Sequence, residues 1–181
     1  MAFDSLLQRR IMGRFATGVT IITARCDDRL WGMTANSILS LSLDPPLILV
    51  SVDRRNQMHA CMSEGKCFAV NVLTAEQEDI SRRFATRGPK DFEGVAITTA
   101  ATGAPILMDA LAFVDCLLVQ VLPGGDHDIF VGEAVAGEAR QGEPLIFYAG
   151  KYTQLSPTPL PEDVPSVYYS LEDLYEHFGS F

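Results

Sequence analysis

The 181-residue sequence predicts a mainly β protein: a β-barrel with a few short helices and a C-terminal helical extension. Three observations carry that expectation. Short runs rich in β-branched and apolar residues recur along the chain, starting with VTIITA at residues 19–24. Only two or three short stretches inside the barrel region have helical spacing, too few for a doubly wound α/β sheet in which helices alternate with strands. The apolar fraction is 48% with 20% charged residues, the balance of a folded chain, and the length suits one domain with an appendage.

The elements follow in order. Asp4 or Ser5 caps a short helix in which Leu6, Leu7, Ile11, Met12 and Phe15 repeat at helical spacing, and Gly18 breaks it. Residues 19–24 form a strand, Asp27-Asp28 turns the chain, and residues 30–35 return as the hairpin partner. Residues 36–43 alternate polar and apolar, and Pro45-Pro46 punctuates before a strong strand at 47–53. Residues 54–63 carry a short helix with Met58, Cys61 and Met62 on one side, and residues 66–73 form another strand. Thr74 caps a helix over 75–84 that begins with acids and ends with Arg82-Arg83, matching the helix dipole at both ends. Strands are then expected at 97–100, 110–122, 128–139 and 145–149, with Pro123-Gly124-Gly125-Asp126 as a hairpin turn. From residue 156 four prolines make an extended linker, and Ser170 caps an amphipathic helix over 171–178. The expected organisation is a barrel domain over residues 1–155 and an appendage over 156–181.

Charge narrows the function. Twenty-three acidic residues against fourteen basic ones give a formal net charge of −9. That balance excludes general nucleic-acid binding and docking on anionic lipid, both of which draw on Lys and Arg. An anionic cofactor can bind only at a local cluster of donors, and arginines do cluster at Arg54-Arg55 and Arg82-Arg83. No apolar run approaches the roughly 20 residues of a membrane span, and the first residues lack signal-peptide character, so a soluble, cytoplasmic protein is expected. Cys26, Cys61, Cys67 and Cys116 are irregularly spaced without CxxC, and Cys67 and Cys116 read as buried free thiols. His59, His127 and His177 make no ligand spacing with them, so no metal site is expected.

Three stretches carry chemistry. Gly32-Met33-Thr34-Ala35-Asn36-Ser37, continuing through Ser40 and Ser42, offers small and hydroxyl residues that let a planar ligand approach the backbone; the outer face of an edge strand has the same composition. Arg54-Arg55-Asn56-Gln57 follows a strand and opens a helix, which makes either a phosphate clamp or a solvated turn. Neither GxGxxG nor GxxxxGK[ST] occurs, so a classical dinucleotide fold has no support. His127 stands at the mouth of a strand after a Gly-Gly turn, as a functional or a structural histidine, with no nucleophile elbow and no acid paired with it by triad spacing.

In this order the stretches resemble the flavin reductase-like family, the FMN-binding split barrel of Greek-key type. Its members include the small reductase components of two-component flavin monooxygenases. The markers are Thr17-Gly18-Val19, Thr34-Ala35-Asn36-Ser37, Ser40-Leu41-Ser42-x-Asp44-Pro45-Pro46, Phe84-Ala85, Gly125-Asp126-His127, Gly132-Glu133 and Tyr148-x-Gly150-x-Tyr152, spanning residues 15–155. The resemblance implies hydride transfer from NADH or NADPH to FMN or FAD, a homodimer, and a separate monooxygenase that receives reduced flavin. It implies that Thr34, Ala35, Asn36 and Ser37 line the isoalloxazine ring, and that Ser51, Asn56 and Gln57 lie along the ribityl-phosphate path. Phe84, Ala85 and Lys90 would close over the flavin, and His127 would face the nicotinamide with Tyr148 and Tyr152. Asn56-Gln57-Met58 stands where the family often has a Ser/Thr-rich pair, so phosphate binding would lean on Arg54 or Arg55 and on backbone N–H groups. Two alternatives share the fold: a flavoprotein that reduces a corrinoid, a metal or a protein, and a flavin-binding electron carrier without nucleotide turnover.

Overall fold

The computed structural model describes residues 3–27, 29–86, 88 and 92–155. The chain opens with α1 (Ser5–Met12), β1 (Thr17–Gly18), β2 (Thr20–Cys26), β3 (Arg29–Ala35), β4 (Ile38–Leu43) and β5 (Pro46–Asp53). It continues through α2 (Gln57–Gly65), β6 (Cys67–Val72), a 3₁₀ turn at Ala75–Gln77, α3 (Glu78–Ala85), β7 (Ile97–Thr98) and β8 (Ile106–Leu107). It closes with β9 (Ala112–Gly124), β10 (His127–Ala139), β11 (Ile146–Tyr148) and β12 (Lys151–Thr153). Mainly β architecture is thus observed, as expected.

Seven strands form one antiparallel sheet in the order β3-β2-β6-β9-β10-β5-β4. In a flat sheet β3 and β5 would lie about 24 Å apart, five steps of roughly 4.8 Å. Met33 and Ala35 of β3 nevertheless share one core with Val50 and Val52 of β5. The sheet therefore curls on itself, and α2 plugs the curl with Met58, Cys61 and Met62. Its edge strands β3 and β4 are joined through Asn36-Ser37 without a ladder between them, which leaves the barrel split. A second core around Val19, Ile21, Leu73, Phe84 and Leu145 lies on the opposite side of β2. Ile22 faces the first core and Ile21 the second, so β2 is buried on both faces, and VTIITA is apolar without strict alternation.

Several expected boundaries move. The second helix begins at Gln57 because the Asn56 side chain accepts the Met58 N–H at 3.0 Å, leaving Arg54 and Arg55 in the turn before it. The stretch over 75–84 splits into the 3₁₀ turn and α3, with Gln77 accepting the Thr74 N–H at 2.9 Å. The long hairpin closes with only Gly125 and Asp126 between its strands, and Gly125 supplies the positive φ (+84°) that this tight turn needs. Strand 97–100 shortens to β7, strand 145–149 to β11, and β1, β8 and β12 were not expected. No residue of α1 is buried, so its apolar stripe faces outward. Cys67 is half-buried rather than buried, whereas Cys61 and Cys116 are buried and burial pushes both thiols up to about 12. The proline-rich linker and the helix over 171–178 lie outside the described residues. Among the described residues no helix is long and apolar enough to cross a membrane.

Candidate active site

The site begins with a glycine. A Cβ on Gly32 of β3 would lie 2.5 Å from Phe84 Cε1 and 2.6 Å from Cδ1, so only glycine lets the α3 ring lie against β3. Beside that contact a cavity of about 450 Å³ opens between β3, the start of α2 and the end of α3. Its volume falls in the range of small-molecule sites, roughly 300–1,000 Å³. Trp31, Met33, Met58 and Phe84 give it apolar walls, while Thr34, Asp53, Arg55, Asn56 and Gln57 place polar groups along one side.

Thr34, Asp53, Arg55 and Asn56 are held by their neighbours. Thr34 Oγ1 donates to the Ser81 carbonyl at 2.6 Å, tying β3 to α3. Asn56 caps α2 through Oδ1, and its Nδ2 reaches Met33 Sδ at 3.5 Å. Arg55 forks onto Asp53, Nε to Oδ1 at 3.1 Å and Nη2 to Oδ2 at 2.7 Å, while its backbone N–H donates to Oδ1 at 2.8 Å. Those bonds, with a smaller contribution from His127, hold the Asp53 carboxyl well below the usual carboxylate range. Arg54 points elsewhere: its Nη2 pairs with Asp128 Oδ1 at 2.6 Å, and His59 Nε2 takes the other Asp128 oxygen at 2.8 Å. That cluster pins the start of α2 to β10, and Arg54 above all holds the Asp128 carboxyl low. The Arg55 guanidinium and the side-chain amides of Asn56 and Gln57 are the donors at this end of the cavity.

Of the residues expected to bind cofactor, Thr34, Arg55, Asn56, Gln57, Phe84 and Ala85 line the cavity together. His127 stands one strand away, opposite Asp53 in the β10–β5 ladder, with Nδ1 and Asp126 Oδ1 2.7 Å apart. Ala35 is turned into the core instead. Asn36 and Ser37 sit on the exposed link between β3 and β4, where Asn36 Nδ2 donates to Thr17 Oγ1 at 3.1 Å and Ser37 Oγ to the Ser51 carbonyl at 3.0 Å. Tyr152 is reached through α3: its hydroxyl and Ser81 Oγ are 2.8 Å apart, and the Arg82 guanidinium lies 4.8 Å from its ring centre. Tyr148 lies on β11 of the small sheet, partly exposed. Lys90 lies outside the described residues.

Sequence reasoning missed Trp31 and Met58 as walls and Asp53 as the partner of Arg55, and read Met33 only as part of the stretch over residues 32–37. Two signals were present, the lone tryptophan and the Asp-x-Arg spacing that lets a carboxylate fold back on the following turn. Among the described residues, Cys26, Asp27 and Glu64 bring one metal-ligating atom each within 4.8 Å of one another, on the exposed side of β2 and α2 and without a histidine.

The chain is similar to known proteins over most of its length. It is 40% identical over 157 residues to the flavin-dependent monooxygenase reductase subunit HsaB of Rhodococcus jostii, covering 86% of this chain and 80% of that one. It is 38% identical to the FMN reductase (NADH) SmoA of Agrobacterium fabrum, covering 82% and 84%. Among solved structures it resembles the NADH:FAD oxidoreductase SgcE6 of Streptomyces globisporus in complex with NAD and FAD fragments. The TM-score is 0.82 at 36% identity, over 87% of this chain and 96% of that one. Residues 12–156 match the Flavin reductase like domain. The chain belongs to the flavin reductase-like domain family.

Proposed function

We propose that this protein is an NADH-dependent flavin reductase that reduces FMN or FAD and supplies reduced flavin to a partner monooxygenase. The cavity carries this reading, since aromatic and thioether walls meet cationic and N–H donors at one end, the donor set that a ring bearing a phosphorylated tail requires. The chemistry that flavin and nicotinamide supply there is direct hydride transfer from C4 to N5, for which a protein contributes stacking and orientation rather than a strong acid or base.

Thr34 and the link through Asn36 and Ser37 border the ring, with Trp31 and Phe84 as its apolar walls. Ser51, Asn56, Gln57 and Arg55 follow the ribityl-phosphate tail, Ala85 closes the loop side, and Lys90 is assigned to cofactor contact as the family resemblance implies. His127 orients the nicotinamide, in company with Tyr148 and Tyr152. Residues 1–155 are the catalytic domain and 156–181 an appendage. Leu117, Val119 and Val121 leave apolar side chains exposed along β9, and a second copy of the chain, forming a homodimer, is the occupant we assign to that stretch. Four free cysteines accord with a cytoplasmic setting.

The test is to follow NADH and NADPH oxidation by the purified protein with FMN, FAD or riboflavin added. Oxidation that scales with added flavin supports the reading. Oxidation that depends on some other acceptor, or bound flavin that neither nucleotide reduces, defeats it.

A further inference from the structure

Asp53 is out of place in a cavity built to hold an anion. Its carboxylate lies in the wall where the donors gather, and both of its oxygens accept bonds from Arg55. The pair is not locked by burial, since the Arg55 side chain is 78% exposed and that of Asp53 28%. Arg54 cannot take over, because Asp128 holds it and is itself held by His59. Of the two arginines in the turn, only Arg55 can be freed by opening one exposed ion pair. A guanidinium fork fits a carboxylate and a phosphate with the same bidentate geometry.

We propose that Asp53 is a specificity-determining residue: it stands in for phosphate on Arg55 until a phosphorylated flavin displaces it. The inference rests on the reading of the cavity as the flavin site. Competition between Asp53 and phosphate for Arg55 then sets two properties. The contact that separates FMN from riboflavin is weakened by the carboxylate it must displace. The same carboxylate recaptures Arg55 as flavin leaves, which suits a protein that must hand its product on rather than keep it.

The experiment measures Kd for FMN and for riboflavin by quenching of Trp31, the sole tryptophan and a wall of the cavity, so the readout is independent of turnover. Asp53→Asn keeps an Oδ1 acceptor for the Arg55 N–H but removes the charge. It should tighten FMN binding about threefold to tenfold, the scale of losing one exposed ion pair and one nearby like charge, and leave riboflavin within about twofold. Asp53→Ser, which also retains a short acceptor, should shift the ratio the same way, and serves if the first variant folds poorly. Arg55→Gln should weaken FMN alone, and the double variant should match Arg55→Gln. An FMN-to-riboflavin preference that fails to rise in Asp53→Asn while falling in Arg55→Gln overturns the inference and spares the flavin site. A preference unchanged in Arg55→Gln overturns the phosphate assignment itself, and the inference with it.

Discussion

Gly32→Ala perturbs the site at the point where fold and binding meet. The added methyl would sit 2.5 Å from the Phe84 ring, against an ordinary carbon–carbon contact of about 3.5–4.0 Å, so the ring must retreat by roughly 1 Å. Phe84 is 1% exposed and packs edge-on against Phe92 at 4.9 Å between ring centres, and the Phe92 Cζ would itself lie 3.2 Å from the new methyl, which leaves little room. Overpacking of this kind costs about 1–3 kcal/mol, which in a chain of this size lowers Tm by about 2–12 °C. Because Phe84 also lines the cavity, flavin affinity read from Trp31 quenching should fall about twofold to tenfold, the worth of a disturbed aromatic contact. Two companions separate packing from binding. Gly132→Ala collides equally hard, 2.6 Å from Phe68 and 2.8 Å from Cys116 Cβ, but in the core, and should lower Tm while leaving flavin affinity alone. Gly18→Ala meets nothing within 4 Å and should change stability by no more than about 0.5 kcal/mol. Gly32→Ala keeping the wild-type Tm and flavin affinity, or Gly132→Ala weakening flavin as much, would overturn the contact of Phe84 with β3 as a determinant of binding.

Other consequences follow from single groups. Thr34→Val removes the hydroxyl that ties β3 to Ser81, and should cost about 0.5–1.5 kcal/mol in urea denaturation. Asn71 is fully buried and bonds the Ile21 carbonyl, the Thr23 hydroxyl and the Leu107 N–H; Asn71→Ala takes that partner from the Ile21 carbonyl and the Leu107 N–H, while the Thr23 hydroxyl keeps the Pro105 carbonyl, and should cost more, at about 1–3 kcal/mol for each group left unsatisfied. Asp53 and Asp128 titrate below their unfolded range, so under acid the unfolded chain binds protons that the native one does not. Their contribution is whole above about pH 4 and is lost as pH falls, and Asp128→Asn should flatten that acid limb in a pH series of denaturation midpoints. Cys61 and Cys116, raised to about 12 by burial, should resist alkylation at pH 8 in the native protein, with the half-buried Cys26 and Cys67 labelled first by mass spectrometry.

Much of this was legible in the sequence, and the rest was hidden for physical reasons. The strands with β-branched cores were visible because burial on one or both faces writes itself into local composition, as at residues 19–24 and 66–73. β1, β8 and β12 were not, since two or three residues cannot display a period. In the site, Asn56 and Gln57 were readable because a polar, arginine-flanked turn between a strand and a helix is a local pattern, although the Asn56 cap that starts α2 at Gln57 was not, and Thr34 because small hydroxyl residues invite a ligand. Trp31, Met33 and Met58 become walls only when the sheet curls and α2 enters it, contacts that no window of sequence contains. The opposition of His127 and Asp53 is a matter of strand register, which the hairpin turn and the β5 pairing set together.

As a flavin reductase, this protein takes flavin as a substrate that passes through this cavity. The most direct measurement mixes the protein anaerobically with excess NADH and a large molar excess of FMN, and follows loss of the visible flavin absorbance. Bleaching of all the added FMN, many equivalents per chain, is the expected result. Bleaching that stops at one equivalent per chain, or does not begin, would contradict it.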